Sequence, residues 1–129
     1  MFQYENTQSR IGGSLWERPL EYLENSPIFQ ADRITTPLLM MHNDEDGAVP
    51  WTQGIELFVA LRRLDRPVWL INYNGEPHNL TKWANKVDWA TRMQQFFDHY
   101  LQGAPAPVWL EEGVPAREKG RTLGLEPAQ

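Results

Sequence analysis

The first clear pattern along the chain is a short apolar run followed by a stretch with helical spacing. Residues 38–41 are continuously apolar, which is typical of a strand buried on both faces. From residue 52 to residue 64, apolar side chains recur at helical intervals. Pro67 lies just beyond and disfavours a longer helix. This part of the chain therefore predicts a strand and then a helix.

The same alternation repeats further along the chain. Residues 68–73 are rich in β-forming side chains and predict a second strand. Residues 87–101 carry apolar side chains at helical spacing, and Gly103 closes that pattern. Strands that alternate with helices pair in parallel through right-handed crossovers. The predicted fold class is therefore α/β.

The two flanking stretches show weaker patterns. Residues 1–36 form an irregular lead-in, with a short helix predicted at 19–23 and one or two helical turns that open at Ser26 and Pro27. Residues 104–129 contain few apolar anchors, so we expect an extended tail whose first half docks on the domain. The chain is accordingly divided into a domain portion, residues 1–103, and a C-terminal tail.

Composition and charge exclude several classes of function. The 129 residues fit one domain, and an apolar fraction of 41% is sufficient for a core. The net charge of −5, with no basic stripe, argues against nucleic-acid binding. The absence of cysteine excludes a disulfide framework and a thiolate nucleophile. The sequence contains no run of about 18 apolar residues, so no membrane span is predicted. The cellular compartment is not indicated by the sequence.

The termini and the strand count both suggest that this chain is part of something larger. The polar N-terminal segment resembles neither a signal peptide nor the start of a domain, so we expect a piece of a longer chain. Two parallel strands alone would leave unpaired edges and an uncovered face. The missing strands must come from a longer chain or from a second copy. A homo-oligomer is therefore expected if the chain folds in isolation.

Polar residues that could carry chemistry follow both predicted strands. In parallel α/β sheets, functional residues lie on loops at the carboxyl ends of the strands. The loop after the first strand contains Asp46, and the loop after the second contains His78, 32 residues later. An aspartate beside a histidine can hold the imidazole in one tautomer and stabilise the imidazolium that forms during acyl transfer. These two residues are the candidate acid and base.

The segment that contains both loops, PLLMMHNDEDGAVPW…GIELFVALRRLDRPVWLINYNGEPHNL, resembles the closing part of the prolyl oligopeptidase family of serine peptidases. The family pattern is a hydrophobic strand, His-Gly, the catalytic Asp and Val-Pro, then a helix, a strand and Tyr-Pro-Gly-Glu-Gly-His. The resemblance covers roughly residues 26–103. It implies the C-terminal part of an α/β-hydrolase, a three-layer α/β/α sandwich. It also implies a peptide substrate and no cofactor.

By position, the resemblance implies that Asp46 is the triad acid, His78 the triad base and His42 a structural histidine. The nucleophilic serine of an α/β-hydrolase precedes both the acid and the base. No Gly-x-Ser-x-Gly elbow is present. The nearest candidate, Ser14, has Trp16 where the last glycine is required. We therefore expect the nucleophile to lie outside these 129 residues, which would leave this chain inactive alone.

The sequence departs from the family pattern at several loop positions. Asn43 and Pro77 stand where glycine is usual, and Asn74 replaces a proline. Ala48 stands where some dipeptidyl peptidases of the family carry a polar substrate-binding residue. These departures leave the acid and base assignments intact and leave the peptide specificity open.

Three alternatives compete with the peptidase interpretation, and the weakest is a related hydrolase such as an esterase, because the same triad acts on ester carbonyls. The acidic run at residues 44–46 fits a solvated turn or a hard-cation site, although the downstream acidic ligand of a calcium loop is missing. No metal is predicted. The chain could also be a non-catalytic binding or assembly module on a hydrolase-like scaffold, because a fold does not dictate function. A Gly-x-Ser-x-Gly motif upstream would favour the peptidase.

Overall fold

A computed structural model describes residues 2–129 of the chain as a series of helices and one small sheet. Its elements, in chain order, are α1 (Phe2–Asn6), α2 (Pro19–Glu24), a 3₁₀ helix (Pro27–Arg33), β1 (Leu38–Met41), α3 (Trp51–Arg63), β2 (Val68–Ile71), α4 (Trp83–Gln102), α5 (Val108–Glu111) and a second 3₁₀ helix (Ala116–Glu118). The predicted order of strand, helix, strand and helix is confirmed.

The sheet is a parallel pair, β1 and β2, joined through α3. The second strand ends two residues earlier than predicted, and the amide of His42 still donates to the carbonyl oxygen of Ile71 at 3.1 Å. The end of α3 is set by Asp65, which adopts a left-handed φ of 54°. The amide of Arg66 then reaches back to the carbonyl oxygen of Leu61 at 2.9 Å, a C-cap that satisfies a free helix carbonyl.

The chain forms two compact units. One comprises residues up to 37 together with 55–68, and the other comprises residues 38–54 and 69–129. The buried apolar side chains of the first unit are Ala31, Leu61 and Val68. Much of its remaining apolar surface is exposed, including Trp16 at 81% and Leu20 at 67%.

The second unit is built on an aromatic core. Phe96, Trp109 and Leu110 are buried, and the ring of Trp69 packs edge-on against Phe96 with centroids 5.9 Å apart. Each indole N–H has a partner: that of Trp69 donates to the carbonyl oxygen of Leu110 at 2.8 Å, and that of Trp109 donates to Oε1 of Gln95 at 2.7 Å. Burial of these large rings therefore leaves neither indole donor unsatisfied.

Residues 104–129, predicted as an extended tail whose first half docks on the domain, contain α5 and contact α4. Arg92 and Gln95 of α4 donate to the carbonyl oxygens of Leu123 and Leu125 at 3.0 and 2.7 Å. An isolated antiparallel bridge also joins Pro107 and Pro127. The physical reason is the apolar pair in α5, Trp109 and Leu110, which is removed from water only if the chain turns back. The division of the chain at residue 103 stays a prediction.

The longest helix, α4, has 20 residues and an incompletely covered surface. Trp83 and Leu101 are 78% and 76% exposed, whereas Phe96 faces the core. Charged residues interrupt the apolar positions of α4, and within residues 2–129 no helix is long and apolar enough to cross a membrane. The expected homo-oligomer stays a prediction.

The aromatic core predicts a strong dependence of stability on Trp109. We expect Trp109→Ala to lower the free energy of unfolding by about 3–5 kcal/mol, because the change removes a buried ring and opens a cavity. Trp83→Ala is the matched control. Its ring is 78% exposed, so we expect a change within about 0.5 kcal/mol. Urea unfolding followed by circular dichroism measures both, and equal effects would contradict the described core.

Candidate active site

The candidate site lies entirely within the second unit, at the carboxyl ends of β1 and β2. The loop after β1, residues 42–50, is called the acid loop, and the loop after β2, residues 72–82, is called the histidine loop. Neighbouring parallel strands bring such loops side by side. The sequence prediction that Asp46 and His78 come from adjacent loops is confirmed by their contact.

Asp46 and His78 form a close pair. Nδ1 of His78 lies 2.8 Å from Oδ2 of Asp46, which requires Nδ1 to carry the proton that it donates to the carboxylate. The Asp46 side chain is only 4% exposed, whereas the His78 side chain is 54% exposed. Among the hydrogen bonds of residues 2–129, the His78 ring takes part through Nδ1 alone. With the proton on Nδ1, Nε2 of a neutral ring carries the lone pair that a general base needs.

The acid loop wraps around the Asp46 carboxylate. Oδ1 accepts the amide hydrogens of Ala48 and Val49 at 2.8 and 2.9 Å. The Val49 amide is the largest of the influences that together lower the pKa of Asp46 from 3.8 to about 2. Burial opposes this shift, and the bonds from His78 and Ala48 add to it. Asp46 is therefore ionised at neutral pH.

His42 contacts the acid loop at Val49 and Asp46, in line with the structural role that the resemblance implies. Its Nε2 donates to the carbonyl oxygen of Val49 at 3.1 Å and lies 3.4 Å from Oδ2 of Asp46. The indole of Trp51 donates to the His42 carbonyl oxygen at 3.2 Å. The His42 ring also packs directly on Gly54 of α3, where a β-carbon would overlap Nδ1. Only glycine leaves room for the ring at this point.

Glu76 organises the histidine loop, a role that the sequence did not reveal. Its side chain is fully buried. One carboxylate oxygen accepts the amide and hydroxyl of Thr81 at 2.8 and 2.6 Å, and the other accepts the Lys82 amide and the Asn85 side chain at 3.0 and 2.6 Å. Burial alone would raise the pKa of Glu76, but these four donors outweigh it and lower the pKa from 4.5 to about 2. The sequence signal that could have indicated this role is a carboxylate residue upstream of a helix start, here that of α4.

The acidic neighbours of Asp46 do not assemble a cation site. Oδ1 of Asp44 accepts the amide of Gly75 at 2.8 Å, and the Asp44 amide donates to Oδ1 of Asn72 at 3.1 Å. Asp44 therefore links the acid loop to the histidine loop. Over residues 2–129, no group of three or more potential metal ligands is arranged to hold a metal ion.

The remaining sequence candidates lie in local structural contacts. Ser14 belongs to the first unit, where its hydroxyl donates to Oε2 of Glu17 at 2.7 Å. His99, on α4, is partly buried, and its Nδ1 donates to the carbonyl oxygen of Ala104 at 2.8 Å near the end of that helix. Neither residue is drawn into the Asp46–His78 pair by these bonds.

Comparison with known proteins identifies one family. The model of the prolyl oligopeptidase family matches residues 2–104. The chain is 26% identical over 103 residues to the uncharacterized peptidase YuxL of Bacillus subtilis. The matched region covers 78% of this chain and 15% of that protein. It is 39% identical over 69 residues to the human acylamino-acid-releasing enzyme, covering 54% of this chain and 9% of that enzyme. It is 26% identical over 113 residues to dipeptidyl-peptidase 5 of Aspergillus fumigatus, and the matched region covers 83% of this chain and 16% of that protein. The chain thus spans less than a fifth of the length of these curated relatives.

The contact between His42 and Gly54 predicts a steric effect on the acid loop. We expect Gly54→Ala to lower the free energy of unfolding by about 1–3 kcal/mol, because the added methyl group forces the His42 ring out of its packed position. Gly47→Ala is the matched control, since nothing lies within 4 Å of a β-carbon there. Thermal and urea unfolding compare the two, and a neutral Gly54→Ala variant would contradict the close approach.

The buried carboxylate of Glu76 predicts acid sensitivity. Its pKa is lower in the folded chain than the ordinary value of 4.5, so its contribution to stability is complete above that pH. The contribution is lost as the pH falls from 4.5 toward 2. We expect Glu76→Gln to be less stable at neutral pH and to lose less further stability on acidification.

Urea unfolding at a series of pH values between about 7 and about 3 tests this linkage. Glu45→Gln, which removes one carboxylate from the exposed part of the acid loop, is the matched control. A Glu76→Gln variant with the wild-type pH dependence would show that Glu76 is not held ionised by the histidine loop.

Proposed function

Because the chain belongs to the prolyl oligopeptidase family, we propose that it supplies the acid and the base, Asp46 and His78, of a serine peptidase. The family implies an α/β-hydrolase fold, and the parallel pair of β1 and β2 is compatible with it. In this proposal, residues 1–103 are the C-terminal portion of the three-layer hydrolase sandwich. The nucleophilic serine then comes from residues outside this sequence.

The observation that carries the proposal is the 2.8 Å contact between His78 and Asp46. An ionised aspartate fixes the imidazole with its proton on Nδ1 and leaves Nε2 free to accept the serine proton. The exposure of the His78 ring is consistent with this task, because a base buried on all sides could not reach a nucleophile on another segment. The buried Asp46 carboxylate would then stabilise the imidazolium that forms.

The proposed reaction follows the acyl-transfer scheme. The serine oxygen attacks the peptide carbonyl carbon while Nε2 of His78 takes the serine proton. His78 then gives that proton to the departing amine, and a covalent acyl-enzyme remains. Water then attacks the acyl carbon and loses a proton to His78, and His78 passes that proton to the departing serine oxygen as the free acid leaves. The low pKa of Asp46 keeps its charge constant through each step.

The substrate class proposed for the full-length protein is peptides. The relatives bear peptidase names of different kinds, one an acylamino-acid-releasing enzyme and another a dipeptidyl-peptidase. Those names belong to those proteins. For this chain we propose acyl transfer from a peptide carbonyl, the chemistry for which an aspartate–histidine pair with a free Nε2 is suited.

The test is labelling with a fluorophosphonate, which reacts with activated serine nucleophiles, read by intact mass. We expect the 129-residue chain to remain unlabelled and a form extended upstream in the same reading frame to be labelled. His78→Ala should abolish labelling of the extended form. Asp46→Asn should lower kcat for peptide hydrolysis by roughly 10⁴-fold, the magnitude known for loss of the correct histidine tautomer.

His99→Ala is the matched control for His78→Ala, because it removes an imidazole from α4 that is bonded to the Ala104 carbonyl. It should leave labelling unchanged. Labelling of neither form would refute the serine-hydrolase proposal and favour a binding or assembly module. Labelling of the 129-residue chain itself, lost in Ser14→Ala, would place the nucleophile within this sequence.

A further inference from the structure

One buried amide, that of Asn43, connects the acid loop with the histidine loop. The residue is 1% exposed. Its Nδ2 donates to the carbonyl oxygen of Pro77 at 2.8 Å, and its Oδ1 accepts the amide hydrogen of Tyr73 at 3.2 Å. The amide cannot be turned around, because a carbonyl oxygen only accepts and a backbone N–H only donates. Both ends of the side chain are therefore committed to the histidine loop.

The positions of these contacts tie them to the candidate acid and base. The Asn43 carbonyl oxygen accepts the amide of Asp46 at 3.3 Å, so Asn43 begins the turn that presents the acid. Pro77 directly precedes His78. A single side chain thus spans from the turn that holds the acid to the peptide unit that holds the base. A change in its length or bonding would alter the separation of the two loops next to the pair.

The other end of the connection is anchored on a long helix. The Tyr73 hydroxyl donates to Oδ2 of Asp88 at 2.6 Å, and Arg92 donates to the same carboxylate at 2.8 Å. Tyr73 is therefore fixed relative to α4. Because Asn43 bonds to the Tyr73 amide, it connects the acid loop to this fixed residue. Exposed loops alone would be mobile on the length scale that matters for catalysis, where a misplacement of about 1 Å is costly.

Pro77 restricts the backbone of the histidine loop directly before His78. Its ring fixes its own φ and confines the preceding residue, Glu76, to extended conformations. Asn43 and Pro77 are two of the positions at which the sequence departs from the pattern that it resembles, and here they contact each other. A glycine at position 43 would leave the Pro77 carbonyl and the Tyr73 amide without this partner.

We propose that Asn43 is a positioning residue that sets the separation of Asp46 and His78 by holding the acid loop against the histidine loop. The inference concerns the geometry of the pair, and its catalytic meaning rests on the proposed function. It goes beyond that function by assigning a role to a residue outside the proposed acid–base pair, one that bonds to the backbone of both loops.

The first test is nuclear magnetic resonance of the 129-residue chain, in which the ¹⁵N shifts of the His78 ring report which nitrogen is protonated. The wild-type ring should be protonated on Nδ1, because that atom faces Asp46. In Asn43→Asp, an oxygen replaces the donor that faces the Pro77 carbonyl, so the loops should separate. We expect the His78 population to shift toward the Nε2-protonated tautomer.

The matched control is Asn25→Asp. Asn25 donates to a backbone carbonyl, that of Glu21, at the same distance of 2.8 Å, but it lies in the first unit. It should leave the His78 tautomer unchanged. Should Asn43→Asp fail to fold, Asn43→Gly removes both bonds without adding a charge and should produce the same shift. A wild-type tautomer in the folded Asn43 variants would overturn the inference.

The second test separates this inference from the proposed function. In the extended form, Asn43→Asp should slow fluorophosphonate labelling roughly tenfold to a hundredfold, the range expected for a small misplacement of the base. If Asp46→Asn leaves labelling unchanged, the proposed function fails, and the tautomer measurement still decides on Asn43. If Asp46→Asn slows labelling but Asn43→Asp does not, the function stands and the positioning role of Asn43 is refuted.

Discussion

The candidate site depends on the need of a buried carboxylate for hydrogen-bond donors. Asp46 is almost fully removed from water, and a charge in that position is stable only if its oxygens are bonded. The acid loop meets this need with the amides of Ala48 and Val49 on one oxygen, while His78 bonds the other. The turn that follows Asp46 therefore keeps the negative charge of its carboxylate fixed beside the His78 ring. Glu76 satisfies the same constraint in the histidine loop with four donors.

Rigidity and access are divided between the two partners of the pair. Asp46 is buried and held by backbone amides, whereas His78 projects a half-exposed ring from a loop whose own carboxylate, Glu76, is buried. A base that must meet a nucleophile on another segment has to be accessible, and an accessible ring holds its orientation only through what lies behind it. His42 and Asn43 supply that support from the acid loop.

The regular elements and the proximity of Asp46 to His78 could be predicted from the sequence, whereas the supporting contacts could not. Apolar spacing marks the helices α3 and α4, and short runs of apolar or β-forming residues mark the strands β1 and β2. The parallel arrangement then brings Asp46 near His78. The roles of Glu76 and Asn43 depend on loop conformations that have no period. Residues 104–129 were predicted as extended because one apolar pair gives too short a pattern to indicate a fold, yet Trp109 fills the core.

The location of the pair has a consequence for how a peptidase of this kind could be assembled. Asp46, His78, His42, Asn43 and Glu76 all belong to one compact unit. Every bond that fixes the His78 tautomer is therefore made within that unit and requires no contact with a nucleophile. If the serine is supplied by another segment, the base is already in the correct tautomer when that segment arrives. Catalytic competence would then be limited by how the segments pack, because the acid–base half of the site is formed beforehand.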